Sequence, residues 1–236
     1  MKYILEYNEF NDLSIEEQDI KDNAILDNIF MKAPNGKKSN LTEKQWLQVR
    51  TKKFINWFGD WLNDPDKASK VIDENGEPMV LIHRSTNDFE IFDKQESIRG
   101  RVLGDGFYFS KLDTYKECGN IKYEVYLNIK TPYDLTPNKR DNVPLEKYIR
   151  IYGYTDNEYI ISKLKGGGLG LVDLQSYKKD DNLIEKLGYD GVIYSKQYKV
   201  NYSNQIKSAT YNNGDFDINN NSILESNSPT HSGYIR

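Results

Sequence analysis

Two short runs of this chain carry the side chains best placed to do chemistry. In the first, the branched apolar residues Val80, Leu81 and Ile82 suit a buried strand and lead straight into His83, Arg84, Ser85 and Thr86. That change of character marks a strand end, where backbone leaves the core and side chains can meet a ligand. In the second, Gly104-Asp105-Gly106-Phe107-Tyr108-Phe109-Ser110, a glycine is followed by three aromatics. A strand alternates its faces, so Phe107 and Phe109 share the side toward the core and Tyr108 points to the other. The expectation is that His83 and Tyr108 face one cleft. Taken alone, His83 reads as a hydrogen-bonded histidine at a strand end; beside Tyr108 it reads as part of a binding site.

The elements that would position these runs are legible in outline. Val71 to Ile82 reads as strand, Asn75-Gly76 turn, strand, and the turn delivers His83 to the end of the second strand. Residues 121 to 129 set Tyr123, Val125, Leu127 and Ile129 against Lys122, Glu124, Tyr126 and Asn128, a strand with one buried face that Pro132 closes. Residues 189 to 194 make a turn and an apolar strand after a short helix at 180 to 187, and two more strands are expected at 198 to 202 and 205 to 211. Residues 144 to 164 have helical spacing. Gly166-Gly167-Gly168-Leu169-Gly170 lacks the Gly-Lys-Ser/Thr ending of a phosphate loop and reads as a flexible connection.

Ahead of all this, residues 14 to 31 predict one amphipathic helix opened by a Ser14/Glu17 capping box. Thr42 and Gln45 open a second, along which Trp46, Leu47, Phe54, Trp57, Phe58 and Trp61 form an apolar stripe expected to dock onto the following domain. The expected division is a 1–62 helical segment, a 63–211 domain that carries both runs, and a 212–236 polar, partly ordered tail, which makes His231 a poor catalytic candidate.

Composition limits the classes. The 236 residues fit one domain with an appendage, and 18 Tyr, 9 Phe and 3 Trp promise an aromatic-rich core despite a mean hydropathy of -0.77. The net charge of -4 comes with no basic block, so nucleic acid draws no support from composition. One cysteine, Cys118, and two distant histidines offer no metal-ligand spacing. The N-terminus does not read as a signal peptide and no run approaches a membrane span, so a metal-free, cytoplasmic protein is expected.

Taken together, His83-Arg84-Ser85, Gly106-Phe107-Tyr108-Phe109-Ser110 and the late strand Gln197 to Ile206 resemble the diphtheria-toxin and poly(ADP-ribose) polymerase branch of the ADP-ribosyltransferases. That branch reads His-Gly-Ser or His-Gly-Thr, then Gly-Ile-Tyr-Phe, then a Glu opening a strand of the pattern Glu-Tyr-Ile-Val-Tyr. Wider phrases, among them Phe54 to Trp61, Val71 to Pro78, Gly188 to Ile193 and Gln205 to Thr210, are similar to the transferase modules of phage polyvalent proteins. The implied fold is α+β, a split mixed or antiparallel sheet with short flanking helices and an N-terminal helical segment.

The resemblance implies NAD as co-substrate. Cleaving nicotinamide leaves an oxocarbenium-like ribose, so the protein must hold both ends of the dinucleotide and stabilise positive charge. By this likeness His83 bonds the adenosine ribose, the Arg84 backbone and Ser85 hydroxyl hold the carboxamide, Tyr108 stacks on nicotinamide, and Ser110 and Tyr115 wall the site. The chain departs from the family twice. Arg84 stands for a glycine and is open to contact with pyrophosphate, the target or solvent. Gln197 stands for the catalytic Glu, and its amide can bond a ribose hydroxyl but carries no charge. Glu124 is the acid considered as a substitute. The implied activity is mono-ADP-ribosylation of a bacterial-host macromolecule, protein before nucleic acid; the alternatives are a catalytically silent NAD- or ADP-ribose-binding relative or interaction module, and an NAD glycohydrolase.

Overall fold

A computed structural model describes residues 13–96, 104–136, 145–153, 156–165, 180 and 182–224. The glycine run at 166–170 and His231 lie outside the described residues. Seven strands form one mixed sheet: β1 (Leu81–Ser85), β2 (Phe107–Ser110), β3 (Ile121–Leu127), β4 (Pro132–Asp134), β5 (Gly191–Tyr194), β6 (Gln197–Val200) and β7 (Ile206–Ser208), in the order β4-β5-β6-β2-β1-β3-β7. Only β4 and β5 run parallel. The joint between the two halves is slight. β1 pairs with β3 along its whole length, and β2 likewise with β6, whereas β1 and β2 register through one pair, Ile82 with Ser110.

Alternation sets the packing on the two faces. Phe107 and Phe109 join Leu81, Val125, Leu127 and Val200 in a core that includes Phe92 and Ile223. Tyr108, one residue out of phase, packs against a second cluster built from Tyr133, Tyr148, Leu183 and Val192. On β3 the expected buried set, Tyr123, Val125 and Leu127, is buried, but Tyr126 on the opposite face is fully enclosed too, and Asn128 just beyond the strand is buried. The expectation of one buried face is therefore corrected. The reason is the N-terminal segment, whose tryptophans and phenylalanines cover that side together with Tyr126, Ala209 and Phe216.

The helices of that segment differ from the sequence reading in length. α1 (Ile15–Leu26) has its Ser14/Glu17 capping box, but it ends at Asp27, and Asn28 and Met31 take left-handed backbone. Ile15, Ile25 and Ile29 are exposed, so the expected apolar face reduces to Ala24 with partial cover of Ile20 and Phe30. The second expected helix is two. α2 (Glu43–Gln48) carries the Thr42/Gln45 capping box, and α3 (Lys52–Phe58) starts afresh at Thr51. The Thr51 hydroxyl donates to the Gln48 carbonyl and accepts from the Phe54 amide, a local alternative to a continuous helical ladder. The break lets Trp46, Trp57 and Trp61 all reach the core, where their indole nitrogens donate to the carbonyls of Lys32, Asn204 and Val49.

Between this layer and the sheet lies an ion pair of Arg50 with Glu77, whose carboxylate is wholly buried and also accepts from Ser39. Arg50 lies 3.6 Å over the Trp46 ring. The Asn75-Gly76 turn is present, with Gly76 at φ +86°, but its arms pair only at Ile72 and Pro78. The 144–164 helix is also two, α4 (Leu145–Tyr152) and α5 (Glu158–Lys165), and α6 (Leu183–Lys186) precedes β5. Residues 212–224 return to the sheet: Phe216 and Ile223 are buried, and Ile91 bridges to Ser222.

Candidate active site

A cavity of about 670 Å³ opens where β1 and β2 part, and it is lined by His83, Arg84, Ser85, Tyr108, Ser110, Tyr115 and Gln197 among others. Its size falls in the range of about 300–1,000 Å³ typical of small-molecule sites. These seven residues thus lie around one space, although they come from β1, β2, β6 and the 111–120 loop.

His83 donates from Nδ1 to the Tyr108 carbonyl over 2.8 Å, because a carbonyl can only accept. In a neutral ring this makes Nε2 the acceptor. The imidazole sits edge-on to Phe92, with centroids 5.0 Å apart, and tilts against Phe109 at 5.5 Å. His83 therefore belongs to the face that carries Phe107 and Phe109. Tyr108 contributes to the cavity wall, yet its ring packs with the second cluster and its hydroxyl donates to the Gly104 carbonyl at 2.5 Å. Both residues line the cavity, but their rings lie on different faces of β2, and a hydrogen bond joins the imidazole to the Tyr108 main chain.

The Arg84 side chain is engaged within the chain itself. Its Nε and Nη2 donate to the two carboxylate oxygens of Asp113 at 2.8 and 2.5 Å, and Nη1 donates to the Asn120 carbonyl. This fork raises the pKa of Arg84 and holds the Asp113 carboxyl below its ordinary range. The Ser85 hydroxyl accepts from the Asn87 amide at 3.1 Å. Ser110 donates to the Leu112 carbonyl and pairs with Gln197 across β2 and β6. The Gln197 side-chain amide donates to the Tyr115 hydroxyl.

Glu124 is elsewhere. It lies on β3, bonded to Lys122 and Thr210, and is absent from the cavity wall; the Lys122 ammonium holds its pKa down. The carboxylates that do line the space are Asp93, Glu96 and Glu117.

The sequence reading gave no role to the wall made by Phe89, Ile91 and Phe92, which lies between the two runs it singled out. A signal was present in the closely spaced aromatics, since Phe92 is buried and Phe89 packs against the core, while Ile91 stays exposed. They are held by Tyr123, whose hydroxyl donates to Asp88 and accepts from the Phe89 amide, and by Ile223, whose amide donates to the Glu90 carbonyl. Asp113 had no signal of its own.

Residues 73–216, more than half of the chain, match the family model described as ADP-ribosyltransferase in polyvalent proteins. The chain belongs to this family. The α+β transferase fold is thereby accounted for, with the joint between β1 and β2 as its split and the cavity at that joint. No curated protein and no solved structure matches the chain. No helix among the described residues is long and apolar enough to cross a membrane.

Proposed function

We propose that the protein is an NAD-dependent mono-ADP-ribosyltransferase that moves ADP-ribose from NAD to a macromolecule of a bacterial host, a protein rather than a nucleic acid, in the host cytoplasm. Membership of the transferase family supplies the reaction class. The observation that carries the reading is the gathering of His83, Ser85, Tyr108 and Gln197 on one cavity at the joint of the sheet.

NAD contributes the bond to be broken: nicotinamide leaves from the ribose anomeric carbon, and an acceptor nucleophile bonds to that carbon and gives up its proton. The chain's residues bind and orient. His83, with its proton held on Nδ1 by the Tyr108 carbonyl, offers Nε2 to an adenosine ribose hydroxyl. The Arg84 main chain and the Ser85 hydroxyl take the carboxamide, and Tyr108, Ser110 and Tyr115 form the nicotinamide side. The Gln197 amide, oriented by Tyr115, addresses the reacting ribose. The absence of a basic block favours a protein acceptor.

A second reading, a silent NAD-binding relative, is favoured by the same Gln197, since a neutral amide gives little stabilisation to a developing cation. Labelled NAD, host extract and purified protein separate the readings. Labelled protein that disappears in His83→Ala supports transfer, and NAD consumption without label points to hydrolysis. Calorimetric binding with no nicotinamide release identifies the silent form.

A further inference from the structure

We propose that Arg84 is a positioning residue: with Asp113 it latches the 111–120 loop to the end of β1 and so holds Tyr115 against Gln197. This rests on the NAD-site reading for its consequence, not for its geometry. A glycine at this position, as in the family pattern, has no side chain to do this.

Three observations carry it. The Arg84 guanidinium spends both arms of its fork on Asp113 and its remaining nitrogen on the Asn120 carbonyl, gripping the loop near its two ends. The Arg84 and Asp113 side chains are only 14% and 30% exposed, so the pair is partly shielded from water. Second, the loop lies directly on β1. A Cβ at Gly119 would fall 2.0 Å from the Ser85 carbonyl carbon, and φ is +149°, so only glycine lets the loop seat there. Third, the latched segment carries Tyr115, which receives the Gln197 amide, and Glu117, which lines the cavity. Among the described residues, the main-chain bonds of the loop between Asp113 and Asn120 are short-range, Thr114 to Leu112, Cys118 to Tyr115 and Gly119 to Lys116; its long-range ties are Lys111 to Lys196 and Glu74 at its start, and the Gln197–Tyr115 bond itself. Order at Tyr115 therefore depends on the anchors, and the arginine's bidentate geometry suits the task better than a lysine's point charge.

The test compares wild type with Arg84→Gly, Asp113→Asn and Arg84→Lys by hydrogen exchange and by NAD kinetics. Exchange at the Thr114, Cys118 and Gly119 amides is expected to quicken about tenfold in Arg84→Gly and Asp113→Asn, the scale of one charge-assisted hydrogen bond, while β3 keeps its protection. Arg84→Lys should fall between. The Michaelis constant for NAD should rise about tenfold, again the scale of one charge-assisted bond, with kcat changed less. Unaltered loop exchange in both Arg84→Gly and Asp113→Asn overturns the latch. Faster exchange with an unchanged Michaelis constant overturns the positioning role. Faster exchange in the variants of a wild type that neither binds nor cleaves NAD leaves the latch standing and removes the functional reading.

Discussion

The imidazole of His83 donates to the main-chain carbonyl of Tyr108, 2.8 Å away, next to the single residue pair that joins the two halves of the sheet. A side chain thus supplements main-chain pairing at the place where the cavity opens. His83→Ala removes that bond and leaves a gap among Phe92, Phe109 and Phe89. We expect a loss of about 1–3 kcal/mol, the usual scale for losing a partly buried ring and its hydrogen bond, measured by chemical denaturation. NAD binding should be lost under conditions where the variant is folded. A variant that binds NAD as wild type does refutes the site.

Tyr123 fastens the wall loop, and burial pushes its phenol up to about 12, with the Asp88 carboxylate acting in the same direction. A raised folded value means that the neutral phenol's contribution is complete below the ordinary tyrosine value near 10 and is lost as pH climbs toward about 12. Burial also raises Tyr126, Tyr152 and Tyr198, so ultraviolet titration should show several late tyrosines, of which Tyr123→Phe removes one. An unchanged late amplitude in that variant would assign the whole of it to the other residues.

The Arg84–Asp113 pair has the opposite sign. Hydrogen bonding by Arg84 is the chief cause of the depressed Asp113 value, with Arg84, Lys116 and Lys122 adding attraction. A depressed carboxyl contributes fully above its unfolded value near 4 and loses the contribution as pH falls through the folded one. The difference in thermal midpoint between wild type and Asp113→Asn should stay constant from about pH 8 to 5 and shrink in stronger acid. A difference that grows in acid contradicts the pairing.

Arg50 and Glu77 bind the N-terminal layer to the Asn-Gly turn inside the protein. Removing one partner strands a buried charge, so Arg50→Met is expected to cost about 3–5 kcal/mol in denaturant unfolding. The double variant Arg50→Met, Glu77→Leu should recover most of that. If the double variant is as unstable as the sum of its singles, the two charges do not act as a pair.

Much of this arrangement was legible in the residues. Ser14 with Glu17 and Thr42 with Gln45 foretold both capping boxes because a cap is a local interaction. The alternation in Phe107, Tyr108 and Phe109 foretold which ring turns away from the first core. What the residues alone did not show depends on partners distant in sequence. Tyr126 reads as a solvent-facing position until α3 is laid over it. Arg84 reads as a free cation until the chain returns 29 residues later with Asp113. The break at Thr51 was hidden because a threonine inside an apolar stripe can continue a helix or cap one, and tertiary packing of the tryptophans decides.

On the proposed reading, turnover hinges on Gln197. Its amide bonds the Tyr115 hydroxyl, and its strand neighbour is Ser110 on β2. Glutamate has nearly the same shape, and the Tyr115 hydroxyl, an acceptor from the amide, can become a donor to the carboxylate. Gln197→Glu should therefore fold like wild type while placing a negative charge on the cavity wall. If charge at this point limits cleavage of the glycosidic bond, nicotinamide release should rise by about 10²–10³, the scale of one well-aimed electrostatic contact. Tyr115→Phe in the Gln197→Glu background should lose part of the gain, because the carboxylate is then less firmly oriented. Nicotinamide release is followed by chromatography with wild type, Gln197→Glu and the double variant side by side. An unchanged or lower rate in Gln197→Glu, with NAD binding intact, means that the missing charge is not what limits this site. Glu117, the cavity carboxylate on the Tyr115 loop, would then be the next side chain to replace.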